Sequence, residues 1–348
     1  MNGVDRRRGG FLRTWVPRWW RGEVGVTGTL LNLLLWPAEQ AYHATMMARG
    51  FAYGRILQPA TASIPVISVG NIAVGGAGKT PVTAWLADRL VDFGRRPGVV
   101  LRGYGADEVL VHQELNPHVP VFATADRAGG ARQAADAGCD TVILDDGFQH
   151  LALGRDLDLV LIAVESWSAH PRLIPRGPWR EGMAGLRRAD AIMITRKVAS
   201  AADAARIAGD MEDRFPHAVV ATALLASDRL GELHDPGAAH KLDHLSGRSV
   251  VAVASLADPL PLQQQLRDAG ATVELLTFPD HHDFSAGEAA EILLHAAARP
   301  IVVTRKEAVK LRPLISRGSH RVLVLQQRVQ IEKGAAELMD RVLKVFTI

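Results

Sequence analysis

A single cysteine, Cys139, stands among 348 residues, which excludes any intrachain disulfide framework and fits a reducing compartment. A lone thiol of this kind reads as a small buried apolar residue beside the strand that follows it. The apolar run near the front, Leu30 to Trp36 with Asn32 inside it, is far short of the ~20 residues needed to span a bilayer. Charge of one sign is not in marked excess either: 40 Lys and Arg face 37 Asp and Glu, for a net charge of +3. No recognisable nucleic-acid module, internal repeat or low-complexity segment accompanies it.

What is present is a chain with 48% hydrophobic residues, enough to bury a large core and long enough for two domains. Its basic excess is concentrated at the front. Arg6, Arg7, Arg8, Arg13, Arg18 and Arg21 face only Asp5 and Glu23, and Trp15, Trp19, Trp20 and Trp36 are four of the seven tryptophans. With the apolar stretch Val24 to Met47 behind them, these residues predict a helix that lies on an anionic membrane surface without crossing it. Arg7-Arg8 followed by Phe11-Leu12 has the start of a twin-arginine signal, but no apolar stretch follows directly. Nucleic acid is the poorer partner for this segment, and no obligate protein partner is evident.

The rest of the chain is arranged around Ile64 to Leu90. Ile64 to Val69 reads as a buried strand, a glycine-rich turn follows, and a helix begins near Lys79. Gly75, Gly76, Ala77 and Gly78 form a phosphate-binding loop, with Lys79, Thr80 and Pro81 at the positive end of the helix. The ligand implied is a nucleoside triphosphate, with Lys79 on its outer phosphates and the Thr80 hydroxyl on Mg²⁺. The strict motif wants glycine at position 73, where this chain has Ala73.

Alternating strands and helices continue with strands at Gly98 to Leu101, Val119 to Ala123 and Thr141 to Asp145, and a helix from Arg127 to Ala137. The fold class is α/β, a phosphate-loop domain on a mostly parallel sheet with a second, smaller α/β domain. Asp145 and Asp146 end a strand as Mg²⁺ carboxylates do in phosphate-loop enzymes, and Gln149 and His150 lie just beyond. Later strands are expected at Leu157 to Val164, Ala191 to Thr195, Ala218 to Leu225, Ser249 to Ser255, Val273 to Phe278, Pro300 to Thr304 and Arg321 to Leu325. A looser polar stretch, Ser227 to Ser246, is the candidate boundary. The expected division is 1–57 for the interfacial segment, 58–226 for the phosphate-loop domain and 227–348 for the second domain.

The motifs VGNIAVGGAGKTP, LRGYG, DDGFQH, IPRGPWRE, FPDHHDF and TRKEAVK follow one another in the order shown by the tetraacyldisaccharide 4'-kinases, and the chain resembles that family over most of its length. The resemblance implies ATP and Mg²⁺ as cofactors, two α/β domains with the active site between them, and work at the cytoplasmic face of the bacterial inner membrane. The acceptor would be the 4' hydroxyl of an acylated disaccharide 1-phosphate, a lipid A precursor. Carried over by motif, Lys79 and Thr80 hold phosphate and Mg²⁺, Asp145 and Asp146 hold the metal, and Asp107 with His281 accepts the hydroxyl proton. Arg127, Arg180 and Glu181 match further site residues of the family. One departure concerns the acidic pair Asp107-Glu108, which follows LRGYG after only Ala106, whereas the family usually carries a sizeable insert there. If the register differs, Glu108 or Asp280 is the nearest substitute for the base.

Adjacent His281 and His282 do not have the spacing of a zinc site, since neighbouring side chains on an extended chain point to opposite sides. A nucleotide-dependent switch or metallochaperone would share the loop and the Mg²⁺ aspartate. The guanine-reading motif expected of such a switch is absent after Thr304, where Arg305-Lys306-Glu307 follows. A pure membrane-binding module would account for the first 57 residues alone.

Overall fold

The computed structural model describes all residues except 1–14, 17, 21, 104–105, 169–170, 257 and 348. Arg6, Arg7, Arg8, Arg13 and Arg21, with Asp5 and the Tyr104-Gly105 end of the LRGYG motif, therefore lie outside the described residues. At the front, the helix expected over Val24 to Met47 is two helices, α1 (Gly25–Leu34) and α2 (Trp36–Arg55), separated at Leu35. Pro37 explains the break, because a proline in the first turn starts a helix well but cannot continue the one before it.

The remaining elements alternate as an α/β chain should. In order they are β1 (Val66–Asn71), α3 (Lys79–Asp92), β2 (Pro97–Leu101), α4 (Ala106–Leu115), β3 (Val121–Ala123), α5 (Arg127–Asp136) and β4 (Thr141–Asp145). Then come β5 (Leu157–Ala163), β6 (Ala191–Arg196), α6 (Ala201–Arg214), β7 (Val219–Glu232), β8 (Asp235–Lys241), β9 (Ser249–Ala254) and α7 (Leu260–Asp268). The chain ends with β10 (Thr272–Thr277), α8 (Ala286–Ala296), β11 (Ile301–Thr304), α9 (Arg305–Leu311), β12 (Val322–Lys333) and α10 (Ala335–Leu343).

Among the described residues all twelve strands belong to one sheet, in the order β10-β9-β11-β12-β7-β6-β5-β1-β4-β2-β3 with β8 added on β7. Every pairing is parallel except β7 with β12 and β7 with β8. The polar stretch Ser227 to Ser246 is therefore not a loose connection. It holds the end of β7, the whole of β8 and a short 3₁₀ turn, so the division expected after residue 226 falls inside a strand shared by both halves. Likewise β12 runs well beyond the expected Leu325, pairing with β7 from Leu323 opposite Glu232 to Lys333 opposite Thr222. Its second half alternates Val329 and Ile331, which pack on the core, with exposed polar residues, the pattern of a strand covered on one face only.

Strand β1 lies at the centre of the first half, flanked by β4 and β5. The chain leaves β1 toward β2 on one side and crosses to β5 on the other, and such a switch point opens a crevice beyond the carboxyl ends of the strands. Parallel register sets Val69 opposite Asp145, which brings the end of β4 beside the phosphate loop. The two come together at Gly70, where an added Cβ would meet Phe148 Cβ at 2.5 Å and Phe148 N at 2.8 Å. Phe148 is fully buried, so it cannot give way. Gly70→Ala is expected to cost about 1–3 kcal/mol through overpacking, read as a lower denaturation midpoint at unchanged m-value.

Candidate active site

The loop after β1 is built by close backbone approaches. Gly78 caps α3 in the left-handed region at φ +86°, and a Cβ there would also strike Leu225 of β7. Helix α3 then begins with Lys79, so its unpaired N–H groups and dipole face the loop. Residue 73 needs no glycine, because Ala73 forms an extended bridge with Trp179, and the flanking Val74 and Arg180 amides donate to the Pro178 and Ile72 carbonyls. Lys197, which follows β6, donates from Nζ to the Gly76 carbonyl at 2.8 Å and pins the loop from the side.

Thr80 Oγ1 donates to Asp145 Oδ2 at 3.1 Å, and His112 Nε2 lies 2.9 Å from the same oxygen. Burial alone would raise the Asp145 carboxyl. The hydrogen bond and charge of His112, then Lys79 and Thr80, outweigh it and hold the group below the usual carboxylate range. Asp146, at φ +55°, turns the other way and collects Lys79 at 3.6 Å and Arg180 Nη1 at 3.1 Å. One hydroxyl and two carboxylates at a strand end are hard oxygen donors of the kind Mg²⁺ takes, with water and phosphate oxygens completing its shell. The residues present thus fit that ion.

The second half of the chain enters through α9, which packs on α4. Asp107, in the first turn of α4 and buried, has Oδ2 3.3 Å from His281 Nδ1 and 3.0 Å from Lys310 Nζ. His281 itself has φ +57° and lies past β10. Of the two substitutes for the base, Glu108 is half-buried, its carboxyl raised by burial first and by the Asp145 charge second. Asp280 accepts from the His281 backbone amide at 3.1 Å and lies 4.0 Å from Nε2 of the His281 ring, on the side away from Asp107.

The other expected site residues take supporting places. Arg127 is buried, with Nη1 on the Val100 carbonyl at 2.6 Å and Nη2 on the Asp145 carbonyl at 2.9 Å, so it ties together the ends of β2 and β4. Glu181 pairs with Arg188 at 2.9 Å, and that guanidinium sits 4.5 Å over the Phe148 ring. His150 is partly buried; burial, then the charges of Arg127, Arg155, Arg49 and Arg102, push its imidazolium down, so it is neutral at neutral pH. Sequence reasoning missed three contributors. His112 and Lys310 gave no sign of their partners, which are distant in the chain, and Lys197 stands after β6 as an ordinary polar residue would. For His112 the only signal was the spacing Asp107, Glu108 and His112, which sets different faces of one helix toward different parts of the site.

A phosphate loop at the end of the central parallel strand, facing a strand-end carboxylate, defines a phosphate-loop nucleotide-binding protein. A model of the tetraacyldisaccharide-1-P 4'-kinase family matches residues 31–113 and 106–345, two stretches that overlap over 106–113. Among its relatives, the tetraacyldisaccharide 4'-kinase of Anaeromyxobacter dehalogenans (strain 2CP-C) is 38% identical over 91% of each chain. That of Rhodospirillum centenum is 35% identical over 94% of this chain and 95% of its own. The crystal structure of LpxK from Aquifex aeolicus in complex with ATP superposes with a TM-score of 0.71 at 27% identity, covering 91% of this chain and 99% of that one. The chain belongs to the tetraacyldisaccharide 4'-kinase family. Nothing in these relatives favours a nucleotide switch or metallochaperone.

The His112–Asp145 contact can be probed without chemistry. Removing the partner that orients a metal-binding carboxylate commonly costs 10–100-fold in metal affinity. His112→Ala is therefore expected to weaken Mg²⁺-dependent ADP binding by about 10-fold or more, with ADP binding in EDTA unchanged. Titration calorimetry with and without the metal reads the difference.

Proposed function

We propose that this chain is an ATP-dependent kinase that phosphorylates the 4' hydroxyl of a tetraacyldisaccharide 1-phosphate, with Asp107 and His281 as its proton-accepting pair. The observation that carries the residue assignment is their 3.3 Å contact across the two halves of the chain. Helix α4 supplies Asp107 to that pair and His112 to Asp145, so one rigid element fixes the base relative to the phosphate site. Lys79 and the N-terminus of α3 hold the transferred phosphoryl group, and Arg180 adds charge beside it. Mg²⁺, held by Thr80, Asp145 and Asp146, would neutralise the developing phosphate charge.

Asp107 is ionised at neutral pH, as an acceptor must be, while its lowered pKa makes it a weak base. Weak bases suffice here. In a loose phosphoryl-transfer transition state the hydroxyl proton leaves late, so the carboxylate orients the nucleophile first and takes the proton last. Lys79→Ala is expected to abolish transfer from ATP to the disaccharide lipid. Asp107→Ala and His281→Ala should each lower kcat by about 10² to 10⁴, with the double variant scarcely worse than either. Additive losses in the steady-state assay would mean two independent roles.

The same reading sets the enzyme on the cytoplasmic face of the inner membrane. No described helix is long and apolar enough to cross a bilayer. Yet α1 exposes Val26, Leu30, Leu33 and Leu34, spaced along one helical face, and α2 adds Trp36, Met47 and Phe51. Such a stripe, with Arg18, Arg49 and Arg55 nearby in the chain, suits insertion at headgroup depth of anionic lipid. Arg49 and Arg102 also act electrostatically on His150, and positive charge there suits the 1-phosphate of the substrate. Leu30→Glu with Leu34→Glu should release the protein from anionic vesicles in co-sedimentation, and added salt should weaken binding of the unaltered chain.

A further inference from the structure

The motif TRKEAVK contains one side chain that the catalytic reading leaves without a task. Lys310, late in α9, is almost wholly buried, and a buried ammonium needs partners. Its two close partners are one member of the proton-accepting pair, Asp107, and the backbone beside the other. Nζ lies 3.0 Å from Asp107 Oδ2 and donates to the carbonyl of His282, next to His281, at 3.0 Å; Asp283 is farther, at 3.8 Å. We propose that Lys310 is a positioning residue of this pair, holding Asp107 as a carboxylate and tying the loop that presents His281 to it. The inference rests on the reading of Asp107 and His281 as the pair.

Every link on the Lys310 side is stiff. Helix α9 starts in a capping box between Thr304 and Glu307, and Glu307 also accepts from the Ser255 amide and hydroxyl. Ala308, Val309 and Leu311 are buried around Lys310, which fixes the direction in which its stem leaves the helix. On the loop, His282 stacks on Phe278 at 5.2 Å, meets Phe284 edge-on at 5.1 Å and reaches Glu288 at 3.1 Å. With His282 clamped, a hydrogen bond to its carbonyl restrains the left-handed backbone at His281 directly beside it. Without Lys310 the loop would keep its aromatic clamp and lose its tether to the carboxylate.

The electrostatic share follows from burial. A carboxyl as enclosed as Asp107 is raised by desolvation; Lys310, through its hydrogen bond and charge, and His281 after it, reverse that and hold it below the ordinary range. The charged groups that face Asp107 are Lys310 from α9, His281 from the loop after β10 and Glu108 from its own helix. Glu108 pushes the wrong way. A group whose pKa is depressed serves as a carboxylate down to low pH, so losing Lys310 must move the acid limb of activity upward.

The test compares wild type, Lys310→Met and Lys310→Arg in steady-state transfer from ATP to the disaccharide 1-phosphate lipid, across the acid limb. Lys310→Met should move the limb up by about 1–3 pH units and lower kcat at neutral pH about 10-fold or more, with KM for ATP unchanged. Lys310→Arg, which keeps the charge, should keep the wild-type limb. In an Asp107→Ala background, Lys310→Met should cost nothing further, because there is no carboxylate left to hold. An unmoved limb in a folded Lys310→Met variant overturns the proposal, as does an equal loss in the Asp107→Ala background, which marks a structural role. If Lys310→Met does not fold, a limb displaced upward in Lys310→Arg overturns it instead. An Asp107→Ala variant with full activity would sink the base assignment itself, a result distinct from any of these.

Discussion

A carboxylate taken out of water at the end of β4 is the constraint around which the site is organised. Asp145 is buried, and removing an ion of this size from water costs several kcal/mol unless partners replace its hydration. Its partners arrive from three different helices. Thr80 comes from α3, His112 from α4, and Arg127 from α5, the last gripping the backbone carbonyl and not the carboxylate. Because each helix follows a different strand, compensating one charge fixes the orientation of three crossovers at once. Loss of Thr80 or His112 removes a hydrogen bond from a charge that water cannot readily resolvate.

Two kinds of connection then bring the second half to this centre. The first is the long antiparallel pair β7 and β12, whose bulges after Gln326 and Ile331 let one sheet continue from one half into the other. Strand β7 is parallel to β6 on its other edge, so the second half is attached through the ladder itself and not through a linker. The second connection is polar. Glu114 of α4 meets Arg305 and Arg312, and Asp107 meets Lys310, all with side chains largely removed from solvent. A sheet alone could not set the distance between Asp107 and His281, which the α4–α9 contact determines.

The sequence carried the parts of this arrangement that depend on local pattern. A buried run of β-branched residues, three glycines and Gly-Lys-Thr-Pro are enough to place a strand, a loop and a helix start, and Asp145 at a strand end follows from the four apolar residues before it. The family motifs pointed to Asp107 and His281, which meet although 174 positions separate them. What stayed hidden is what depends on pairing across distance. Ser227 to Ser246 looks like a linker because β7 has one wet edge region and β8 is an added outer strand, so polar residues are tolerated throughout. Helix α4 went unpredicted because its residues face two different lobes and leave no single apolar stripe. His112 and Lys197 have partners 33 and 121 residues away, and Lys310 meets the same Asp107 carboxylate that His281 reaches across 174 residues, all beyond what any local rule inspects.

The IPRGPWRE motif shows how the exposed helices and the phosphate site share one scaffold. Glu39 of α2 is buried, accepting from the Leu173 amide at 2.7 Å and from Arg176 at 2.5 Å. Tyr42, one turn on, donates to the Arg180 carbonyl at 2.9 Å, and Trp20 donates to the Pro175 carbonyl at 3.0 Å. The motif backbone is thus held from one side by the same helix whose other side exposes Trp36, Met47 and Phe51. From its opposite side Trp179 bridges to Ala73 of the phosphate loop, and Arg180 reaches Asp146 and Gln149. Each contact in this series is a hydrogen bond, an ion pair or a buried ring, so no flexible segment stands between α2 and Asp146. A helix joined to the phosphate site by such a path keeps a fixed position relative to it.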